Sequence, residues 1–196
     1  MNQNHPTKGD QISVEPIRSI KDIQSIKKML QGNPRDFALF VVGINTASRA
    51  SDLLALTVGQ VRHLNPGDTL PVRERKTSKV RRITLNAAAH AAIKALLDTM
   101  QDTADGAPLF QSRKGNKALT VSTLNNMVKA WCEGINLKGN YGSHTLRKTF
   151  GYHHRVTHGT DLPTLMRVFG HATQQQTLHY LCIQEEEVKD AFMREL

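Results

Sequence analysis

The 196 residues include 26 lysines and arginines against 17 acidic residues, which gives a formal net charge of +9 at neutral pH. A surplus of this size favours a polyanionic partner, and nucleic acid is the first candidate. The longest apolar run, residues 37–42, is far shorter than the roughly 20 residues of a membrane span, and no signal peptide is visible. Cys132 and Cys182 have no CxxC partner, which is typical of reduced thiols in a cytoplasm. One domain with its own core is expected at this length.

The first part of the chain is predicted to be a polar leader followed by two helices. Residues 1–16 are polar and lack periodicity, so a disordered leader is expected. Ser19 can cap a first helix, whose apolar residues recur at helical spacing until Gly32. Asn33 and Pro34 supply a cap and a first-turn proline for a second helix. This second helix is apolar nearly all round, which predicts that it is buried.

A small sheet with a basic hairpin is predicted to follow a short helix that Ser51 itself would cap. Residues 61–64, 70–76 and 80–85 are separated by turn signals, which predicts three antiparallel strands. The last turn carries charge of almost one sign, a pattern that favours a phosphate-facing finger over a merely solvated hairpin. The basic residues of this hairpin are Arg73, Arg75, Lys76, Lys79, Arg81 and Arg82.

The second half of the chain reads as helical, so the fold class is mainly α, with a small sheet (α+β). Asn86 is expected to cap an alanine-rich helix, and Ser122 to begin another with Trp131 in the core. Between these helices lies a second basic turn, residues 111–117, which could contact backbone phosphate.

A stretch near the C-terminus carries the residues with the clearest chemistry. His144 and Arg147 lie three residues apart, so on a helix both side chains leave from one face and can meet the same small anion. His171 follows a glycine, and Tyr180 lies nine residues further on. Arginine forks match phosphate oxygens with two donors each and stay charged at any working pH. These are the parts needed to attack a phosphodiester without a metal.

These motifs resemble the C-terminal signature of the tyrosine recombinases, the phage integrase family that shares its chemistry with type IB topoisomerases. HxxR alone is a weak signal, but an arginine box, a basic hairpin, HxxR, GH and a tyrosine in one order are specific. The resemblance implies a helical catalytic domain with a small three-stranded antiparallel sheet. The matching segments are Thr46-Ala-Ser-Arg49-Ala-Ser-Asp52-Leu-Leu-Ala-Leu56, His144-Thr-Leu-Arg147, Gly170-His171 and Tyr180.

The resemblance implies strand cleavage by Tyr180, with a 3′-phosphotyrosyl link and a 5′-hydroxyl as products. Arg49 and Arg147 would clamp the phosphate, and His144 and His171 would add hydrogen bonds to it. Losing one such donor typically costs about 100- to 1000-fold in rate. The ordinary pKa of tyrosine is about 10, so a positive site and a nearby base, with His144 as the candidate, must ease its ionisation.

Three further roles follow from the same resemblance. Lys76 fits best the hairpin lysine that protonates the leaving 5′-oxygen, with Lys79 as its competitor. Asp52, three residues after Arg49, is expected to orient that arginine, because a carboxylate beside the phosphate would repel it. The residues expected to contact the DNA backbone are Lys79, Arg81, Arg113, Lys114 and Lys117.

Two alternatives at the site stay open. Tyr141 and Tyr152 are rival nucleophiles, although neither has the family spacing. Histidines at HxxxH spacing could bind zinc, but no acidic or cysteine ligand set accompanies them, so no metal and no cofactor is expected. These histidines are His153, His154 and His158.

The chain departs from the family pattern in three places. The usual glycine-containing arginine box reads Ala47-Ser48-Arg49, and Phe169 precedes Gly170 where an aliphatic residue is common. The 48 residues before Arg49 leave no room for the family's N-terminal core-binding domain. Residues 17–196 are therefore expected to be a catalytic domain alone, similar to the short recombinases that invert fimbrial switches, or a fragment of a longer protein.

Two functions remain compatible with these motifs. The first is a site-specific DNA recombinase or integrase, cytoplasmic and nucleoid-associated; the second is a DNA-binding accessory or regulatory protein that does not complete strand exchange. The full motif set favours the first. Double-stranded DNA is the expected partner, together with accessory DNA-bending proteins, and no membrane. The protein is expected to be monomeric in solution and a homo-oligomer, a tetramer, on DNA, coupled through its tail, residues 181–196.

Overall fold

The computed structural model describes residues 14–73, 80–100, 103–181 and the single positions 189, 192, 193 and 195. The mainly helical fold class is confirmed. Two strands, β1 (Thr69–Arg73) and β2 (Val80–Thr84), pair as an antiparallel hairpin. No helix in these ranges is both long and apolar enough to cross a membrane. The helices in chain order are α1 (Ile20–Leu30), α2 (Pro34–Thr46), α3 (Ala50–Leu53), α4 (Val58–Val61), α5 (Ala87–Leu97), α6 (Val121–Gly134), α7 (Thr145–Val156), α8 (Leu162–Phe169) and α9 (Gln174–Leu181).

Three predicted helix starts are confirmed by their caps. The side-chain oxygens of Ser19, Asn33 and Asn86 each accept a hydrogen bond from the backbone N–H three residues further on. Such a bond satisfies one of the first-turn N–H groups that have no partner within the helix. Local chemistry therefore determines where α1, α2 and α5 begin.

Two other predicted starts are wrong. Ser51 lies inside α3, and Arg49 occupies the N-cap position without a side-chain cap bond. The helix expected to run on from Ser51 is instead two short helices, α3 and α4. Thr120, two residues before Ser122, caps α6 by accepting from Thr123 N–H.

The predicted sheet is also corrected, because it has two strands in the described residues and not three. The expected first strand, residues 61–64, is the end of α4 and the turn after it. Gln60 accepts a hydrogen bond from Thr57 N–H at 2.9 Å, which favours the helical start of this segment. Asp68 accepts from Asn65 N–H at 2.8 Å, and this contact closes a turn before β1.

The helix α2 lies at the centre of the main core and packs against α1, α5 and α7. Phe40 of α2 meets Trp131 edge to face at 5.9 Å, so the prediction that Trp131 is a core residue is confirmed. Gly43 allows α7 to approach closely, since a Cβ there would lie 2.5 Å from Leu146 Cδ1. The main core thus sets the position of α7.

The helices α8 and α9 form a C-terminal layer on the other side of α7. A second, small apolar cluster lies beneath this layer. Gly151 of α7 permits the contact, because a Cβ there would lie 2.7 Å from the ring of Phe169. The buried members of the cluster are Ala47, Leu165, Phe169 and Leu181.

Residues 14–16, which the sequence placed in the leader, lie against the domain. Glu15 N–H donates to Asn140 O at 2.8 Å, and Pro16 is buried. These three residues are therefore part of the packed unit. The rest of the predicted leader, residues 1–13, lies outside the described residues.

Candidate active site

Five of the predicted site residues meet where the main core joins the C-terminal layer. Arg49 and His144 stand at the N-cap positions of α3 and α7, and Arg147 lies one turn into α7. His171 follows α8 directly, and Tyr180 lies on α9. The charges of both arginines act on both histidines. Segments distant in sequence thus form one positively charged site.

Asp52 lies beside Arg49 as the sequence predicts. Arg49 Nη1 is 3.9 Å from Asp52 Oδ2, and the Asp52 side chain is only 1% exposed. The hydroxyl of Ser51 donates to the other carboxylate oxygen at 3.2 Å. A buried carboxylate one helical turn away restricts the directions that the Arg49 guanidinium can take.

Arg147 is almost completely buried and is held by the backbone. Its Nη1 donates to Ala47 O, and its Nη2 donates to Phe169 O at 2.6 Å. Its guanidinium also lies over the Phe169 ring, 4.9 Å from the centroid. These contacts fix the plane of the guanidinium, so its orientation is set before any ligand arrives.

His144 makes the direct polar contact with the proposed nucleophile. Its Nδ1 lies 3.3 Å from the Tyr180 hydroxyl. Partial burial of the ring, followed by the charges of Arg147, Lys148 and Arg49, lowers the pKa of His144 below the ordinary 6.5. A neutral imidazole is therefore favoured near pH 7, and its unprotonated nitrogen can accept the tyrosine proton.

His171 is held by a residue that the sequence did not single out. Its Nδ1 lies 3.0 Å from the hydroxyl of Thr177, which is fully buried on α9. Its ring stacks on Phe169 with centroids 5.2 Å apart. Partial burial, then the charges of Arg147 and Arg49, lower the pKa of His171 to about 4. When the Thr177 hydroxyl donates to Nδ1, the ring hydrogen is on Nε2 and can be donated to an anion.

The ring of Tyr180 is surrounded by aromatic and cationic side chains. Its centroid lies 5.3 Å from that of Phe169 and 5.4 Å from that of His171. Lys148 Nζ lies 5.4 Å from the same centroid, and Arg147 Cζ lies 5.7 Å from it. Cations over an aromatic face are attracted by the negative face of the ring quadrupole, and this attraction grows when the tyrosine hydroxyl is ionised.

Lys148 is the clearest residue that the sequence interpretation missed. It is 5% exposed, although lysines are seldom buried. Its position directly after Arg147 was the only available signal, because sequence spacing does not show the contacts that bury it. Only the packing of α9 on α7 brings it to the tyrosine ring.

The rival tyrosines occupy different surroundings. Tyr141 is buried and donates its hydroxyl to Lys138 O at 3.1 Å. Burial, then the charge of Glu15, raise the pKa of Tyr141 to about 12, which opposes phenolate formation. Tyr152 lies on α7 with its ring edge on to His153. Of the three tyrosines, Tyr180 is therefore the one placed against the site histidines.

The three histidines considered for zinc make other contacts. His153 Nε2 lies 2.9 Å from Ile17 O, and its Nδ1 lies 3.2 Å from the Thr157 hydroxyl. His154 stacks on Phe150, with His158 tilted against it. Across the ranges that the structure covers, no three potential metal ligands come together.

The lysine predicted as the general acid and the predicted DNA contacts fall into three groups. Lys76 and Lys79 belong to residues 74–79, outside the described residues. Arg81 is half-buried and donates to Ala47 O and Val168 O, a contact with protein and not one that faces solvent. A tight turn, in which Gly115 has φ +73°, exposes the remaining three. These are Arg113, Lys114 and Lys117.

The arginine box has an unusual backbone conformation at the position before Ser48. Ala47 is the C-cap of α2 with φ 50° and ψ 25°, in the left-handed region. Glycine adopts this region without steric cost, whereas alanine does not. The structure thus gives a physical reason for a glycine in this box and shows that alanine can replace it.

Two sequence comparisons match this chain to known proteins. The model of the phage integrase family matches residues 19–187. The probable integrase/recombinase YoeC of Bacillus subtilis (strain 168) is 33% identical over 180 residues, 91% of this chain and 95% of YoeC. Tyrosine recombinase XerC of Pelobacter propionicus is 28% identical over 159 residues, 81% of this chain and 51% of XerC.

Solved structures share the fold. XerA recombinase superposes with a TM-score of 0.74 at 19% identity, over 95% of this chain and 66% of XerA. The post-cleavage complex of XerH with palindromic difH gives 0.74 at 21% identity, over 94% of this chain and 53% of XerH. The chain thus spans nearly all of YoeC but about half of XerC and XerH.

Proposed function

Because this chain belongs to the phage integrase family of tyrosine recombinases, we propose that it is a site-specific DNA recombinase that cleaves and rejoins strands through Tyr180. The observation that carries the proposal is the contact of the Tyr180 hydroxyl with His144, beside the buried Arg147 and the oriented His171. Double-stranded DNA is the proposed partner, which the net charge of +9 also favours.

The proposed reaction exchanges one phosphodiester bond for another. Tyr180 Oη loses its proton to His144 and forms a bond to phosphorus, while the bond from phosphorus to the 5′-oxygen breaks. Arg49, Arg147 and His171 donate hydrogen bonds to the non-bridging oxygens, whose charge rises in the transition state. The products are a 3′-phosphotyrosyl link and a 5′-hydroxyl. A second 5′-hydroxyl can then attack the link and release the tyrosine.

The leaving 5′-oxygen must take up a proton, and we propose Lys76 as its donor. If Lys76 serves as this acid, a substrate with sulfur at the 5′ bridging position will largely rescue Lys76→Ala, because the thiolate leaves without a proton. The same substrate will not rescue Arg147→Ala. Rates of adduct formation on oxygen and sulfur substrates provide the test. Rescue of Lys79→Ala in place of Lys76→Ala would move the role to Lys79.

Adduct formation on DNA tests the proposed function directly. The protein is incubated with nicked duplex fragments of its source genome, labelled at the 5′ end of the strand to be cleaved, and resolved on a denaturing gel. A labelled covalent adduct and a new 5′-hydroxyl end that polynucleotide kinase can phosphorylate are expected. Tyr152→Phe is the matched control that should retain the adduct, and Tyr180→Phe should lose it while retaining DNA affinity. Sequence-independent binding without any adduct would favour the accessory function instead.

A further inference from the structure

Two helix C-termini meet beside the candidate site. The α2 terminus presents Ala47 O, and the α8 terminus presents Val168 O and Phe169 O to the same region. The last carbonyls of a helix have no partner within it and carry the negative end of the helix dipole. Two such ends repel each other unless a donor with positive charge lies between them.

Two arginines satisfy this requirement, and each joins both helix ends. Arg81 Nη1 lies 2.9 Å from Ala47 O and 2.8 Å from Val168 O. Arg147 donates to the same Ala47 O and to Phe169 O. Arg81 Nη2 also lies 3.4 Å from the Ser48 hydroxyl. We call this arrangement of two guanidinium groups and three carbonyls the joint.

The joint determines how far apart the proposed phosphate ligands lie. Arg49 follows Ala47 by two residues, and His171 follows Phe169 by two residues. Neither segment can move relative to the other without breaking contacts of the joint. Arg81 also stands second in β2, five residues after Lys76 in the sequence. One side chain therefore connects the hairpin to both ligand-bearing segments.

We propose that Arg81 is a positioning residue that holds Arg49, His171 and the hairpin in register for phosphate attack. The inference rests on the proposed function and replaces the expectation that Arg81 contacts the DNA backbone. Arg147 has a second proposed task at the phosphate, whereas the task proposed for Arg81 is to hold the joint.

The test compares Arg81→Gln with Lys94→Gln, a control at an exposed basic residue on α5. Single-turnover adduct formation is measured at saturating protein, with the fraction of DNA converted and the rate recorded separately. A displacement of about 1 Å can cost about 100-fold in rate, so Arg81→Gln should lower the rate by about that factor at full conversion. The slope of log affinity against log salt should not change. Lys94→Gln should react within about threefold of the unsubstituted rate.

Two results would overturn the inference. A salt slope that falls by about 0.9, with an unchanged rate in the bound complex, would make Arg81 a phosphate contact. Reduced conversion at an unchanged rate would mean that the substitution only removes folded protein. Arg81→Lys keeps the charge but lacks the planar guanidinium. If Arg81→Gln does not fold, the same measurements on Arg81→Lys decide between these outcomes.

A measurement without DNA separates this inference from the proposed function. Thermal unfolding is recorded for Arg81→Gln, Arg147→Gln and the double variant. Because both side chains share Ala47 O, the shifts in Tm should not add. Additive shifts would refute the joint, whereas an unsubstituted protein that forms no adduct on any substrate would refute the proposed function and leave the Tm result standing.

Discussion

The main core and the C-terminal layer are held together by different forces. The core around α2 is a large and nearly continuous apolar cluster, in which Phe40, Leu39 and Leu124 are completely buried. Among the described residues, the apolar cluster beneath the C-terminal layer has four buried members, and the attachment of the layer depends on hydrogen bonds from Arg147 and Arg81 to helix ends. Apolar burial is non-directional, whereas hydrogen bonds fix direction and distance.

This difference explains where the candidate site lies. Arg49 extends from the core side, His171 and Tyr180 come from the layer, and His144 and Arg147 belong to α7 between them. The geometry of the site therefore depends on how the layer meets the core. Substitutions at the interface should affect chemistry more than stability, and substitutions within the core should do the reverse.

The largest expected effects belong to the two arginines. Arg49→Ala and Arg147→Ala should each lower adduct formation by at least about 100-fold, because both remove a donor to the charged transition state. Arg147→Ala should also lower the free energy of unfolding, by about 1–3 kcal/mol, since it removes a donor from Phe169 O. Arg49→Ala should lower it as well, since it leaves the buried Asp52 carboxylate without its ion pair. The rate of adduct formation on nicked DNA and the denaturant unfolding curve of each variant provide the test. Equal losses of stability and rate in both variants would make them structural arginines.

Two glycines allow a direct comparison of the two regions, because one lies against the main core and the other against the C-terminal layer. Gly151→Ala places a Cβ against Phe169 of the layer, and Gly43→Ala places one against Leu146 of the core. Overpacking typically costs about 1–3 kcal/mol. We expect Gly43→Ala to lower global stability in that range with a nearly unchanged rate, and Gly151→Ala to lower the rate about tenfold. The reverse pattern would show that the layer does not control the site.

Acid should weaken the layer before the core. The pKa of His171 is about 4 when folded and near 6.5 when unfolded, so the unfolded chain takes up the proton first. The resulting stability is complete above about pH 6.5 and falls as the pH is lowered toward 4. Denaturant unfolding should show that the free energy of unfolding declines less between pH 7 and 4.5 for His171→Asn than for His63→Asn, a control at an exposed histidine. Identical declines would contradict this assignment.

Much of the local structure could be predicted from the sequence because it is encoded locally. The caps at Ser19, Asn33 and Asn86 need only a side-chain oxygen and a nearby N–H group. The motif order likewise identified the residues that the fold brings together at the site.

The remaining features could not be predicted for two physical reasons: local turn contacts overturned one expectation, and the others depend on contacts between distant segments. The extra strand was expected because residues 61–64 suit a strand, but the turn and helix contacts of residues 57–68 decide otherwise. The partners of Arg81 could not be predicted, because charge alone does not indicate burial and its carbonyl partners are 34 and 87 residues away. Lys148 and Thr177 were missed for the same reason.

The identity of the residue that becomes linked to DNA tests the central claim most directly. The three tyrosines fall into three different tryptic peptides, residues 139–147, 149–155 and 168–189. After nuclease and trypsin treatment of the adduct, mass spectrometry should find the residual nucleotide on residues 168–189 alone, at Tyr180. A nucleotide on residues 139–147 or 149–155 would contradict the account.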